Sequence, residues 1–195
     1  MKATYRINTE SKANENNTFC FDKIRITLLT PCLMRLEWSE MNIFTDLPSQ
    51  KVWFRGFHDV PHTCKRENKT DYIQTEMLTI EVQKNKTLRD SVKIILKERA
   101  DSNIPSFLMP DSWRYGDEIK TLKGTARTLD NADGEIELED GIISKSGFSV
   151  LEDSKSYLIS KTGEMVQRED SDAVDIYLFA YGTNYKKYLQ DCLKD

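Results

Sequence analysis

Several short segments of this chain alternate apolar and polar residues with a period of two. The clearest runs are residues 24–28, 34–38, 78–82 and 92–96. Such a period places the apolar side chains of a strand on one face of a sheet. The pattern therefore predicts β-strands with one buried face. Short turn-forming stretches predict two antiparallel hairpins, one joining 24–28 to 34–38 and one joining 72–75 to 78–82, whereas 92–96 is one more strand.

Other segments predict extended structure from different signals. Residues 175–180 are almost wholly apolar after the first position, which is typical of a buried strand. Residues 157–159 and 165–167 flank Thr162-Gly163, which predicts a small hairpin. Residues 52–57 predict a further extended segment rich in aromatic side chains.

One helix is predicted, and it lies at the C-terminus over residues 184–193. Its apolar side chains fall at the i, i+3, i+4, i+7 and i+8 spacing of a single helical stripe: Tyr185, Tyr188, Leu189, Cys192 and Leu193. Many short strands with one terminal helix predict a mainly β chain, an antiparallel β-sandwich with a C-terminal helix. We divide it into a flexible polar leader at 1–18, the sandwich at 19–182 and the helical segment at 183–195.

The amino-acid composition limits the kinds of molecule that this protein can bind. The chain has 195 residues and a formal net charge of −4, and charged residues of both signs are interspersed along it. This excludes a basic field for nucleic acid or for an anionic membrane. The first 17 residues hold no apolar run, so neither a signal peptide nor a transmembrane segment is predicted, and we expect a cytoplasmic protein. The four cysteines are widely spaced, which favours reduced thiols.

Candidate chemistry concentrates between residues 124 and 154, where glycines and carboxylates are interspersed. Glycine permits tight turns, so the stretch is predicted to be loops that present acidic side chains. Paired carboxylates are the groups that glycoside hydrolysis requires, although alternating acidic residues are more typical of a solvated strand edge. The candidates here are Glu135, Glu137, Glu139 and Asp140.

The histidines and several aromatic residues could either bind a ligand or have a purely structural role. His58 and His62 have a ligand-like spacing, but Pro61 lies between them in a segment that reads as extended, so no metal site is predicted. Aromatic side chains can stack on sugars, but they are more typical of a core. The aromatic candidates are Trp38, Trp53, Phe54, Trp113 and Tyr115.

Three ordered sets of motifs resemble one family. The first is G-T-A-R-T-L-D at 124–130, then L-E-D-G-I-I-S-K-S-G at 138–147 and E-D-S at 152–154. The second is L-M-R-L-E-W-S-E followed by F-T-D-L-P-S-Q, within 33–50, and the third is D-I-Y-L-F-A-Y-G at 175–182. Together they resemble the N-terminal domain of glycoside hydrolase family 31, the α-glucosidase and α-xylosidase family. Glu152 departs from the family pattern, which has aspartate there.

The resemblance implies a galactose mutarotase-like β-sandwich that precedes a (β/α)8 barrel. In that family the barrel carries both catalytic aspartates of a retaining mechanism, so no catalytic residue, cofactor or metal is expected in this chain. The partners expected are the protein's own barrel domain and an α-linked oligosaccharide. The family's N-terminal domain sends a loop over the barrel mouth, and the residues matched to its sugar-contacting position are Asp140 and, second, Asp130.

A second hypothesis, which assigns the chain to a different functional class, stays open. A β-sandwich of this size also serves as a stand-alone carbohydrate-binding or scaffold domain. The coding sequence downstream of residue 195 separates the two, because only an accessory domain continues into a barrel.

Overall fold

The computed structural model describes residues 8–97, 110–124, 133–134, 136, 138, 141 and 143–192. The strands in these residues are β1 Thr18–Phe21, β2 Ile24–Leu28, β3 Leu33–Trp38, β4 Thr63–Glu67, β5 Thr70–Gln74, β6 Leu78–Gln83, β7 Val92–Leu96, β8 Ser112–Trp113, β9 Phe148–Glu152, β10 Leu158–Ile159, β11 Met165–Val166 and β12 Val174–Ala180. The helices are α1 Leu88–Ser91 and α2 Tyr185–Cys192, and a 3-10 turn spans Glu15–Asn17.

The strands form two five-stranded antiparallel sheets and one small hairpin. Sheet 1 has the order β1-β2-β3-β12-β9, sheet 2 has the order β4-β5-β6-β7-β8, and β10 pairs with β11. A shared apolar core lies between the two sheets, with side chains such as Ile26 and Leu36 from sheet 1 and Ile80 and Ile94 from sheet 2. The predicted mainly β antiparallel sandwich is therefore confirmed.

The predicted hairpins follow from the period-two pattern. Ile26 lies opposite Leu36 in the β2–β3 pair, and Ile73 lies opposite Ile80 in the β5–β6 pair. In each case the register places apolar side chains of both strands on the core face, which is the arrangement that buries the most apolar surface. The small hairpin of β10 and β11 is also present.

Several segments differ from the sequence prediction, among them α1, a second helix where only a C-terminal one is predicted. Residues 52–57 form no strand and make only one parallel bridge, between Phe54 and Glu10. The reason is a tight turn, in which the Phe57 N–H donates to the Arg55 carbonyl at 2.8 Å. A backbone turned in this way cannot continue a row of hydrogen bonds to a neighbouring strand. The sequence analysis missed β4 because all five of its residues are exposed and polar on both faces. It also assigned β9 to loops.

Part of the predicted leader contacts the sandwich. The carbonyl of Glu10 accepts hydrogen bonds from the N–H groups of Arg55 and Gly56. Asn17 is buried; its side chain donates to the His58 carbonyl and accepts from the Val60 N–H, both at 3.0 Å. Residues 8–17 therefore follow the 54–60 segment along the protein surface.

The central strands of sheet 1, β2, β3 and β12, are buried on both faces, which positions the site described below. All five residues of β2 are buried, and so are the last six of β12. The face turned away from the core is covered by residues 39–57, which we call the covering loop, together with the segment around β10 and β11. Among the described residues, no helix is long and apolar enough to cross a membrane.

Candidate functional site

Charged side chains lie in two rows across the outer face of sheet 1. Because apolar residues of β2, β3 and β12 point into the core, the alternating positions point to the opposite face. The register aligns Arg25 with Glu37 and Glu37 with Asp175, and it places Arg35 beside Tyr177. All five side chains are buried, so strand pairing assembles a compact polar cluster.

The centre of this cluster is a two-pronged ion pair between Arg35 and Asp175. Arg35 Nε donates to Oδ1 at 2.8 Å, and Nη2 donates to Oδ2 at 2.7 Å. Arg25 makes a similar pair with Glu37 at 2.6 and 2.9 Å, and Arg35 Nη2 lies 3.1 Å from Glu37 Oε1. Planar guanidinium groups suit such paired contacts, which offset the cost of burying charge.

The same two arginines hold the covering loop against the sheet. The carbonyl oxygen of Thr45 accepts from Arg25 Nη2 at 2.8 Å and from Arg35 Nη1 at 3.0 Å. Arg25 also pairs with Asp46 at 2.9 Å. The remaining guanidinium donors therefore bind the loop main chain, which fixes the position of residues 45 and 46.

A second anchor joins the loop to the end of β9. The Ser49 hydroxyl donates to Asp153 Oδ1 at 2.9 Å. Arg168 then bridges two carboxylates, with Nη2 at 3.2 Å from Asp153 Oδ2 and Nη1 at 2.9 Å from Asp175 Oδ2. The two halves of the cluster are thus one continuous ion network.

Arg55 joins the network through the hydroxyl group of Tyr177. Its Nε donates to the hydroxyl of Tyr177 at 2.5 Å, and its Nη1 donates to the carbonyls of Ser11 and Leu47 at 3.0 and 3.1 Å. Burial raises the pKa of Tyr177 to about 12, although the charges of Arg35 and Arg55 oppose this shift. The phenol therefore stays neutral at physiological pH and acts as a hydrogen-bonding support.

The carboxylate at the centre of this network serves as an ion-pair partner. Asp175 is paired with two arginines, and an ionised carboxylate held this way has no proton to give at neutral pH. A small cavity of about 200 Å³ lies beside it, bordered by Phe44, Leu158 and Asp170 among others. The network therefore fixes the loops on sheet 1.

The stability of the sandwich is expected to fall as the pH drops below about 4. Burial acts to raise the pKa of Asp175, but the charge and hydrogen bonds of Arg35 and the charge of Arg168 outweigh it, so the pKa lies below its ordinary value. A carboxylate of this kind stabilises the fold above its unfolded-state pKa, about 3.9, and the contribution is lost as the pH falls through the folded-state value.

Urea unfolding of the wild type and of Asp175→Asn, between about pH 6 and about pH 3, measures this contribution. The wild-type free energy of unfolding should fall more steeply than that of the variant below about pH 4. If the free energy of unfolding falls equally with pH in the two proteins, the expected contribution of Asp175 is contradicted.

The residues that the sequence analysis favoured for sugar contact lie outside the described residues. This holds for Asp140 and Asp130, and also for Glu135, Glu137 and Glu139. The structure does describe the base of this stretch, where the Leu122 N–H donates to the Ile143 carbonyl at 2.6 Å and the Lys145 N–H to the Lys120 carbonyl at 2.8 Å.

Gly141 has a steric role at this base. A Cβ atom added to Gly141 would overlap the carbonyl oxygen of Leu122 and come within 3.2 Å of the Gly124 nitrogen. Two backbone segments therefore approach each other at a distance that only glycine allows. The glycine of the E-D-G motif is thus required for close packing at this position.

Sequence reasoning missed the ion network, although its residues lie within the motifs that carry the resemblance. Arg35 and Glu37 belong to L-M-R-L-E-W-S-E, Asp153 to E-D-S, and Asp175 and Tyr177 to D-I-Y-L-F-A-Y-G. The available signal was a charged residue at every second position of a strand whose neighbours are apolar. Among the described residues, no cluster of three or more His, Cys, Asp or Glu side chains is placed to hold a metal ion.

The fold is similar to that of a solved glycoside hydrolase. The Flavobacterium johnsoniae GH31 dextranase in complex with glucose superposes with a TM-score of 0.47 and 18% sequence identity, covering 92% of this chain and 26% of that chain. A variant of that dextranase in complex with isomaltotriose gives the same values. This chain thus spans about a quarter of the length of these structures. No family model and no curated protein matches it. The family of the dextranase is the one that the sequence motifs resemble.

Proposed function

We propose that this chain is the N-terminal, non-catalytic β-sandwich of a family 31 α-glycosidase that acts in the cytoplasm. It packs on a (β/α)8 barrel and shapes the entrance to the active site. The parent enzyme hydrolyses α-glucosides or α-xylosides with retention of configuration. Within this proposal, Asp140, and secondarily Asp130, contacts the sugar from a loop that reaches over the barrel mouth.

The observation that carries the proposal is the convergence of the resembling motifs. The segments 33–50, 152–154 and 175–182 are far apart in the sequence, yet their polar residues meet in the one buried ion network. Chance matches to a family pattern have no reason to come together in space. This convergence favours a common structural origin for all three segments.

The position of the residues that flank the acidic stretch gives further support. The Tyr185 hydroxyl at the start of α2 donates to the Ser144 carbonyl at 3.1 Å. The Gly182 N–H donates to the Gly147 carbonyl, also at 3.1 Å. The base of the acidic, glycine-rich stretch and the helix that leads onward therefore share one end of the sandwich. A loop that must reach over a barrel following α2 needs this placement.

The proposal predicts that residues 1–195 alone do not hydrolyse glycosides, because the catalytic carboxylates belong to the barrel. The purified chain and the product of the complete open reading frame are compared on aryl α-glucosides and α-xylosides. We expect turnover only from the longer protein, with proton NMR showing that the first product keeps the α configuration.

Two results would overturn this reading. One is hydrolysis that follows the 195-residue chain through successive purification steps. The other is a reading frame that stops without encoding a barrel, which would favour the alternative of a stand-alone carbohydrate-binding or scaffold sandwich.

A further inference from the structure

A large cleft opens at the end of the sandwich opposite α2. Its volume is about 890 Å³, within the range of about 300–1,000 Å³ typical of ligand sites. One wall is the β1–β2 turn of sheet 1, and the other is the segment from the end of β6 through α1. In β12 the register places Val174 beside Trp38 at this end, whereas Ala180 leads to α2. The seven residues of β12 separate the two ends by roughly 20 Å.

The interior of the cleft combines aromatic and polar surface. Phe21 and Trp38 are half-buried side chains that pack against the core and also line the cleft. Hydrogen-bonding side chains surround them, among them Gln83, Asn85 and Thr87. Sugars have the matching character, since a ring presents an apolar C–H face to an aromatic side chain and hydroxyl groups to polar ones.

The charge of the cleft is opposite to that of the chain. Four basic side chains line it, Lys23, Lys84, Lys86 and Arg114, against two acidic ones, Asp22 and Asp90. The chain as a whole has a net charge of −4. A basic cleft in an acidic protein concentrates anions rather than cations.

Some of these charges form ion pairs or hydrogen bonds within the protein. Lys23 pairs with Glu40, Asp90 accepts from the Thr87 hydroxyl at 2.8 Å, and Arg114 donates to a backbone carbonyl. In the part of the chain that the structure describes, neither Lys84 nor Lys86 forms an ion pair. The Lys84 ammonium lies over the Phe21 ring at 6.0 Å from its centre, so a cation and an aromatic face are offered together.

We infer that this cleft is a binding site for an anionic sugar, an oligosaccharide that carries carboxylate or sulfate groups. The ring lies on Phe21 and Trp38, and the negative group is held by Lys84 and Lys86. Binding at this cleft does not require the activity proposed for the parent enzyme, so either proposal can fail without the other.

Calorimetric titration of the purified 195-residue chain tests the site. The probes are digalacturonate, galactose 6-sulfate, neutral galactobiose and inorganic sulfate. Digalacturonate or galactose 6-sulfate is expected to bind with a Kd below about 1 mM, at least about tenfold tighter than galactobiose or inorganic sulfate. The difference in Kd between digalacturonate and galactose 6-sulfate shows whether the lysines prefer carboxylate or sulfate groups.

Three variants locate the binding. Lys84→Gln with Lys86→Gln should weaken binding at least about tenfold, because the charge partners are removed. Phe21→Leu should weaken it while keeping an apolar side chain. Lys145→Gln with Lys161→Gln makes the same change in net charge at exposed positions outside the cleft and should leave Kd unchanged. Thermal melts of each variant verify the fold.

Several outcomes would overturn the proposal. They are no binding of either anionic sugar, equal binding of galactobiose, equal binding of inorganic sulfate, and equal weakening by the control lysine pair. No binding of the anionic sugars, or equal binding of galactobiose, would contradict recognition of an anionic sugar. Equal binding of inorganic sulfate would contradict recognition of the sugar ring, and equal weakening by the control pair would leave only a general electrostatic effect.

Discussion

Replacing Arg35 with methionine is expected to lower the free energy of unfolding by about 3–5 kcal/mol. The side chain is 1% exposed and pairs with Asp175, which is equally buried. Its removal leaves part of the charge of Asp175 and Glu37 uncompensated in a site that water cannot reach. It also removes a donor to the Thr45 carbonyl, so the covering loop loses an anchor. The melting temperature should fall by roughly 10 °C.

Two further variants show whether burial of charge is the cause. Arg66→Met removes an arginine that is 61% exposed and lies 3.7 Å from Asp71, and such pairs contribute about 0–1 kcal/mol. Arg35→Met combined with Asp175→Leu replaces the buried pair by apolar groups and should recover much of the loss. Chemical denaturation of the three proteins measures this. Equal losses in Arg35→Met and Arg66→Met, or no recovery in the double variant, would contradict the explanation.

Replacing Gly141 with alanine is expected to lower the free energy of unfolding by about 1–3 kcal/mol and to separate the two backbone segments at the base of the acidic stretch. The new methyl group meets the backbone of Leu122 and Gly124, which cannot move without breaking the hydrogen bond between Leu122 N–H and Ile143. Hydrogen exchange of the Leu122 and Lys145 amides should therefore accelerate, because both are donors in this pairing.

Gly56→Ala is the matched control for this change. The three atoms nearest to a Cβ at Gly56 would all belong to the side chain of Glu10, which is exposed and can turn aside. The loss of stability should be clearly smaller than for Gly141→Ala. If Gly141→Ala leaves both the amide exchange and the melting temperature unchanged, the close backbone approach at Gly141 is not a structural requirement.

The strands that the sequence predicted correctly are those with a strong difference between their two faces. β2, β6 and β7 each place three apolar side chains on one face, and one register alone buries them all. Residues of the edge strand β4 are exposed on both faces, so no pattern marks them. Residues 52–57 are apolar enough for a strand, but the hydrogen bonds of Arg55 to Tyr177 and to two carbonyls hold them in another conformation.

The sequence alone does not show that its charged motifs form a buried ion network. Arg35, Asp153 and Asp175 were recognised only as parts of family-like segments, and the carboxylates of the acidic stretch received the chemical role. Which carboxylate pairs with which arginine depends on contacts between positions 140 residues apart. Local patterns carry no information about such partners, because any Asp or Glu of suitable length satisfies the same alternation.

The sequence by itself determined the mainly β class, most hairpins, the C-terminal helix and the family that the chain resembles, because period-two burial and short motifs are local properties. The tertiary structure decided the rest. It placed sheet 1 under a covering loop and joined distant charges into one buried network. It also opened the basic cleft at the end opposite α2. These features arise where separate strands meet, and their energies depend on burial and distance, which are defined only once the chain is folded.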